Sequence, residues 1–261
     1  MFTFGGTGTL LYGVKIGLEK ACPGTAQTGI REPAVILCSD CAHYACMRVA
    51  NWLGLGEENV LRVPTTEENE IRPDLLESLL RDVLKQGRKV AAIIATLGTT
   101  DAFGLDDLEA VHSIRDKLVD EFNLDYRPHI HADAVIGWAW SVFNDYDFDE
   151  NPLDFSHRTV RALAGTSRRM CQLHLADSLG IDFHKTGFTP YVSSLFLIRD
   201  AAELLLISRG RSRRRICFSR GIIIPASTHW RRPVAVRDRW PRWLICCCSG
   251  RMVFARCWGI W

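Results

Sequence analysis

A lysine set among apolar residues is the first group in this chain whose type and position point to chemistry. Lys185 lies in Asp182-Phe183-His184-Lys185-Thr186-Gly187, at the end of an apolar run. Either burial strips its ammonium of water, lowers its pKa and makes it a nucleophile toward aldehydes, or it is a surface lysine at a strand terminus. The segment mimics a P-loop, but that loop needs glycine immediately before the lysine, and His184 stands there. The second cluster is His129-Ile130-His131-Ala132-Asp133. Alternate residues of a strand share a face, so two imidazoles and a carboxylate converge, either on a water-activating divalent metal or on partners inside a sheet. In the third, Ser39-Asp40-Cys41-Ala42-His43, the imidazole of His43 either covers the face of a flat aromatic ligand or faces solvent. Cys38, Cys41 and Cys46 lack a second cysteine or histidine pair to complete a zinc set and read as reduced, mostly buried thiols. The fourth, Phe4-Gly5-Gly6-Thr7-Gly8-Thr9, is either an anion-binding glycine turn at a helix start or a plain turn.

Strands and helices in alternation must position these groups. Short apolar runs bounded by turn residues predict strands over Ala34–Cys38, Asn59–Val63, Val90–Ala95, His129–Ala132, Gly180–Phe183 and Ser194–Ile198. Helical spacing predicts helices from Gly8 to about Cys22, Ala42 to Leu53, Arg72 to Lys85, Leu105 to Phe122 and Thr159 to Leu175, with Pro73 in the opening turn of the third. That order is the signature of an α/β layer fold whose ligand site lies beyond the carboxyl ends of the strands. All four clusters lie at such places.

Composition divides the chain in two. Of its 32 Lys and Arg and 30 Asp and Glu, residues 209–261 hold 13 Arg, no Lys and the single acid Asp238. The body 1–208 therefore carries a net charge of -10 and the tail +12, and the tail also holds five of the ten Cys and five of the eight Trp. No apolar run reaches the roughly 18–20 residues that span a bilayer, and the start lacks the pattern of a secretory signal, so the expected location is cytoplasmic.

Taken in order, Gly5-Gly6-Thr7, Ser39-Asp40-Cys41-Ala42-His43, Ala95-Thr96-Leu97-Gly98-Thr99-Thr100, His131-Ala132-Asp133-Ala134 and His184-Lys185 resemble the group II pyridoxal-phosphate-dependent decarboxylases, the family of glutamate and aromatic amino-acid decarboxylases. The similarity covers nearly all of 1–208. It implies a fold-type I, transferase-like large domain, a mostly parallel sheet with helices on both faces, and pyridoxal 5'-phosphate as cofactor. By the resemblance Lys185 forms the Schiff base with the cofactor's aldehyde, and Asp133 keeps the pyridine nitrogen protonated so that the ring accepts electrons as carbon dioxide leaves. His43 stacks on the ring, and Ala134 packs on its other face. Gly6, Thr7 and His184 match phosphate contacts, and Thr100 matches a position near the ring's oxygen. The implied partners are an amino-acid substrate and a second subunit of a homodimer, with neither nucleic acid nor membrane. Another fold-type I enzyme, a transaminase or carbon-carbon lyase, shares this framework; a His-x-His metal hydrolase is the more distant alternative, and no metal is expected.

The chain departs from the family at both ends. Its relatives carry a segment before the glycine turn, and after the lysine a loop with a catalytic tyrosine and a small C-terminal domain, which 209–261 do not match. That tail reads either as a basic nucleic-acid or membrane segment or as a shifted reading frame. Back-translated with suitable codons and read two bases later, Pro225–Trp243 yields GIDTLETSRSGAGPLAAV, which resembles the family's continuation. The expectation is a truncated, frameshifted product that keeps most of the cofactor-binding half-site and lacks the family's substrate-contacting segments.

Overall fold

A computed structural model describes residues 1–98 and 103–208, together with the backbone of strands 243–248 and 251–256. The chain separates into two units, Met1–Ile207 and Ser208–Trp261. In the second, β8 (Trp243–Cys248) and β9 (Arg251–Arg256) form an antiparallel pair. The remainder of the expected out-of-frame tail lies outside the described residues.

The first unit opens with β1 (Phe2–Thr3), α1 (Gly6–Ala21), α2 (Thr25–Thr28), β2 (Ala34–Ser39), α3 (Ala45–Trp52), β3 (Val60–Val63) and α4 (Pro73–Lys85). It continues with β4 (Lys89–Thr96), α5 (Leu108–Glu121), β5 (His129–Asp133), α6 (His157–Met170), β6 (Ser178–Asp182), β7 (Ser194–Ile198) and α7 (Leu204–Ile207). The seven strands form one sheet in the order β1-β7-β6-β5-β4-β2-β3, parallel from β3 through β6 and antiparallel at β7 and β1. Every residue of β2 and β5 is buried, the mark of strands covered on both faces. The path runs outward from β2 to β3 and then back to β4 and β5. Right-handed crossovers therefore place α3 on one face and α4 and α5 on the other. Accordingly α1 packs on α3, and α4 on α5.

Local chemistry sets the helix limits. Pro73 opens α4, which buries Leu76, Leu80 and Val83 along one stripe. Asp107 caps α5 by accepting from the N–H groups of Glu109 and Ala110, and Ser156 caps α6 by accepting from Thr159 N–H. Several expected elements shift: the helix placed from Gly8 starts at Gly6, and the one placed from Leu105 starts at Leu108, behind the Asp107 cap. The helix placed from Ala42 starts at Ala45, because the Ala45 N–H donates to His43 Nδ1 at 3.1 Å and holds 41–44 in a turn. The helix expected to reach Leu175 ends at Met170 and tightens into a 3-10 segment, Cys171–Leu175. β6 begins two residues early, at Ser178, where it pairs with His131. β7 is antiparallel because the connection 183–193 contains no helix to carry a crossover.

α1 lies close on the sheet because of its glycines. A Cβ on Gly17 would stand 2.1 Å from the Ala91 carbonyl oxygen, and one on Gly13 would stand 2.5 Å from His131 Nδ1. Gly17→Ala is expected to lift α1 from β4 and cost about 3 kcal/mol or more, the upper range for overpacking a close contact. Urea denaturation measures it; a midpoint equal to the parent's would refute this account of the packing.

Candidate active site

The sheet register brings the motifs to one end. Thr96, Asp133 and Gly180 stand level on the parallel strands β4, β5 and β6. Asp182, one step beyond, pairs with Ser194 on β7, and Ser194 pairs with Thr3 on β1. Thr3 leads through Gly5, whose φ of 97° is the left-handed region open to glycine, directly into α1. Gly6 and Thr7, in the first turn of α1, therefore arrive beside the carboxyl ends of β5 and β6. A Cβ on Gly6 would meet Val135 Cγ1 at 2.7 Å and Asp182 Oδ2 at 3.1 Å, so only glycine lets the helix start so near.

Lys185 sits in the turn after β6, partly exposed, with Nζ 3.2 Å from Asp182 Oδ2. His184 Nε2 lies 3.6 Å from the same oxygen, and His184 Nδ1 lies 3.0 Å from the Ser193 carbonyl. Asp133 is buried. Its Oδ1 has no hydrogen-bond partner among the described residues, while the Val135 N–H donates to the carboxylate. Burial pushes its pKa up to about 6, against the pull of Lys185 and with a further push from Asp182. Ala134 follows at full burial, its N–H shared between the Ala132 and Gly180 carbonyls.

His43 occupies the loop between β2 and α3, its ring 4.2 Å from that of Tyr44, and β4 separates β2 from β5. The described contacts do not join it to the Lys185 cluster. Thr100 lies outside the described residues. Gly6, Asp133, Ala134, His184 and Lys185 are assembled at one place, with Thr7 at its rim.

The metal alternative for the His-x-His strand meets a different geometry. His129 Nε2 and His131 Nδ1 each lie 2.8 Å from Ser178 Oγ, beneath α1 and buried. Among the described residues no group of three His, Cys, Asp or Glu side chains is placed to hold a metal. The shared serine explains the histidines as a buried neutral pair, since burial brings both pKa values down to about 3 from 6.5. A neutral imidazole that charges only on unfolding makes unfolding take up a proton, so stability falls as the pH drops below about 6.5. Relative to His131→Gln, the parent should lose about 1.4 kcal/mol of stability per pH unit between roughly pH 6 and pH 4. Parallel pH profiles for the two proteins would disprove it.

Asp182 and Ser194 are site residues that motif reading does not single out. Ser194 Oγ donates to Asp182 Oδ1 at 2.5 Å, and the Trp138 indole N–H donates to the Asp182 carbonyl at 3.1 Å. The available signal was an acid three residues before the lysine in a turn. Ser194 enters through an antiparallel pairing that the sequence does not announce.

Cofactor fit is tested by the donor set. An amine, an unpartnered buried carboxylate oxygen, an imidazole and a glycine-led helix start suit an aldehyde, a pyridine N–H and a phosphate respectively, with the last two groups serving the phosphate. The comparisons agree with that class. The model of the pyridoxal-dependent decarboxylase conserved domain matches residues 16–148, half of the chain, and the chain belongs to this family. It is similar to L-2,4-diaminobutyrate decarboxylase of Acinetobacter baumannii, 29% identical over 218 residues, covering 78% of this chain and 37% of that protein. L-tyrosine decarboxylase of Enterococcus faecalis is 24% identical, covering 70% of this chain and 31% of the relative. The structure of mouse CSAD matches with a TM-score of 0.60 and 26% identity over 78% of this chain and 38% of that one. The chain thus spans little more than a third of the length of the curated relatives it matches. No helix among the described residues is long and apolar enough to cross a membrane.

Proposed function

We propose that residues 1–208 are the cofactor-binding part of an amino-acid decarboxylase that uses pyridoxal 5'-phosphate. The observation that carries this reading is Asp133: a buried carboxylate oxygen without a partner among the described residues, at the same strand ends as Lys185 and the Gly6 turn. When bound, the cofactor supplies an electron sink for the pair left as carbon dioxide departs. The chain's own residues do the rest. Lys185 would provide the amine that holds the cofactor by its aldehyde. Asp133 holds a proton on the ring nitrogen, and its burial keeps that bond from competition with water. Gly6, Thr7 and His184 would grip the phosphate and Ala134 would border the ring, while the roles of His43 on the ring's other face and of Thr100 near its oxygen rest on the resemblance alone.

The same reading carries a homodimer and a cytoplasmic location, both supported by the resemblance. It also makes 209–261 an out-of-frame tail, for which the coding DNA across codons 205–261 is the check: another frame should continue the decarboxylase pattern. For the activity, the protein is mixed with pyridoxal phosphate and carboxyl-labelled amino acids of the acidic, diamino and aromatic classes. Release of labelled carbon dioxide from one class is expected. Amino transfer to a keto acid without such release would instead support the transaminase alternative.

A further inference from the structure

α6 contains a glycine that packing does not explain. Gly13 and Gly17 let α1 approach the sheet, but nothing lies within 4 Å of where a Cβ on Gly165 would stand. A glycine in the middle of an exposed helix weakens it relative to alanine. Arg161 stands four residues before Gly165 and Arg168 three after it, so the three share one face with the glycine between the arginines. Both arginines are exposed, and neither has an ion pair or hydrogen bond among the described residues. This face borders a cleft of about 450 Å³, completed by Glu68 and Glu70 ahead of α4 and by Phe103 and Leu105 ahead of α5. Glu70 is already occupied, since Arg169 pairs with it at 2.7 Å and also with Asp107. The Phe103 ring rests on Trp140, with ring centres 5.0 Å apart. The charges left to meet a ligand are therefore Arg161, Arg168 and Glu68.

Two guanidinium groups flanking an open saddle select for the shape of an anion as well as its charge. A carboxylate has two oxygens in one plane, and a single arginine fork satisfies both. A phosphate turns oxygens in several directions and accepts from two forks at once. The two arginines start about 10 Å apart along the helix axis, close enough for both long side chains to converge on one group above Gly165. Glu68 repels a second anion and accepts from a donor, so the rest of the ligand offers O–H groups, with Phe103 and Leu105 against its apolar parts. We propose that this cleft binds a small organic phosphate monoester with a hydroxyl-bearing body, its phosphate between Arg161 and Arg168 and a hydroxyl on Glu68. The volume is that of a small-molecule site. None of these residues belongs to the Lys185 cluster, so the cleft stands whether or not that cluster binds a cofactor.

Calorimetry on the full chain with glucose 6-phosphate at pH 8 tests this. The parent is expected to bind the ester, to bind inorganic phosphate about tenfold more weakly, and to give no signal with glucose. Arg161→Gln and Arg168→Gln should each weaken the ester at least about tenfold, the scale for losing a charge-assisted pair. Arg48→Gln, which removes the same charge from α3, should bind like the parent. In Gly165→Leu the new side chain enters the saddle while helix propensity rises, so the melting temperature should rise as affinity falls at least about tenfold. A merely structural glycine would not move those two readings in opposite directions. Thermal melts also verify that the arginine variants are folded. No binding to the parent overturns the proposal. Full affinity in all three α6 variants places the ester elsewhere, such as beside Gly6 and His184, and overturns it equally. Inorganic phosphate bound as tightly as the ester would show that Glu68 and Phe103 contribute nothing, and the ester assignment fails.

Discussion

Lys185→Ala is expected to abolish the visible Schiff-base absorbance that pyridoxal phosphate gives with the parent, and with it any release of carbon dioxide. No other lysine is placed at this site: Lys15 and Lys20 pair with Glu19 and Glu203, Lys89 and Lys117 pair with Asp125 and Glu77, and Lys85 is exposed in the last turn of α4. An imine needs a neutral amine within reach of the aldehyde, so a methyl group at 185 leaves nothing to react. The fold should survive, since the Lys185 side chain is partly exposed. Removing it frees Asp182 Oδ2 from one counter-ion, which His184 still faces at 3.6 Å. Absorbance and borohydride labelling both read the outcome. Undiminished labelling of the variant, mapped to another lysine, would show that the nucleophile had been misplaced.

Asp133→Asn should separate stability from function. In the cofactor-free protein this carboxyl titrates near 6 rather than 3.8, because burial disfavours its charged form. A carboxyl whose folded pKa is raised binds a proton more tightly folded than unfolded, so stability is lost as pH rises from about 3.8 through about 6. That loss is roughly 3 kcal/mol above pH 6. The asparagine carries no charge, yet its amide N–H takes the unpartnered place of Oδ1, which offsets about 1–2 kcal/mol. Denaturant titration at pH 8 without cofactor is therefore expected to show a variant more stable than the parent by about 1–2 kcal/mol, with the gain vanishing near about pH 5 and reversing below it. Decarboxylation should fall about 100-fold or more, the scale for losing one preorganised charge in a site of this kind. A variant less stable than the parent at pH 8, or fully active, would show that the charge of Asp133 has neither the cost nor the use assigned to it.

Much of the architecture follows from residue pattern. Continuous apolar runs such as Ala34–Ser39 and the Val90–Thr96 stretch of β4 suit only strands covered on both faces, and the stripe of Leu76, Leu80 and Val83 behind Pro73 suits only a helix. Element ends are less legible, because they depend on single hydrogen bonds. His43 delays α3 by accepting one N–H, and the pairing of Ser178 with His131 extends β6. The two histidines beneath α1 illustrate the same limit. Their spacing fits metal ligands, but a serine from another strand takes both of them, and no local pattern in 129–133 contains that serine.

The sequence by itself determined the kinds of groups available and their order: a lysine after a strand, a carboxylate at the end of another, and a glycine turn before a helix, within an alternation that permits one α/β fold class. These are local properties, since periodicity, turn chemistry and motif order are written within a few residues of each position. Only the tertiary structure decided that Asp182 faces Lys185, His184 and the start of α1 together, because that meeting depends on Thr3 pairing with Ser194 and Ser194 with Asp182. It also decided that Asp133 is dry and His131 neutral, since burial comes from α1 lying across the sheet on its glycines. Charge state follows from solvent exclusion and long-range register, which no short stretch of chain encodes.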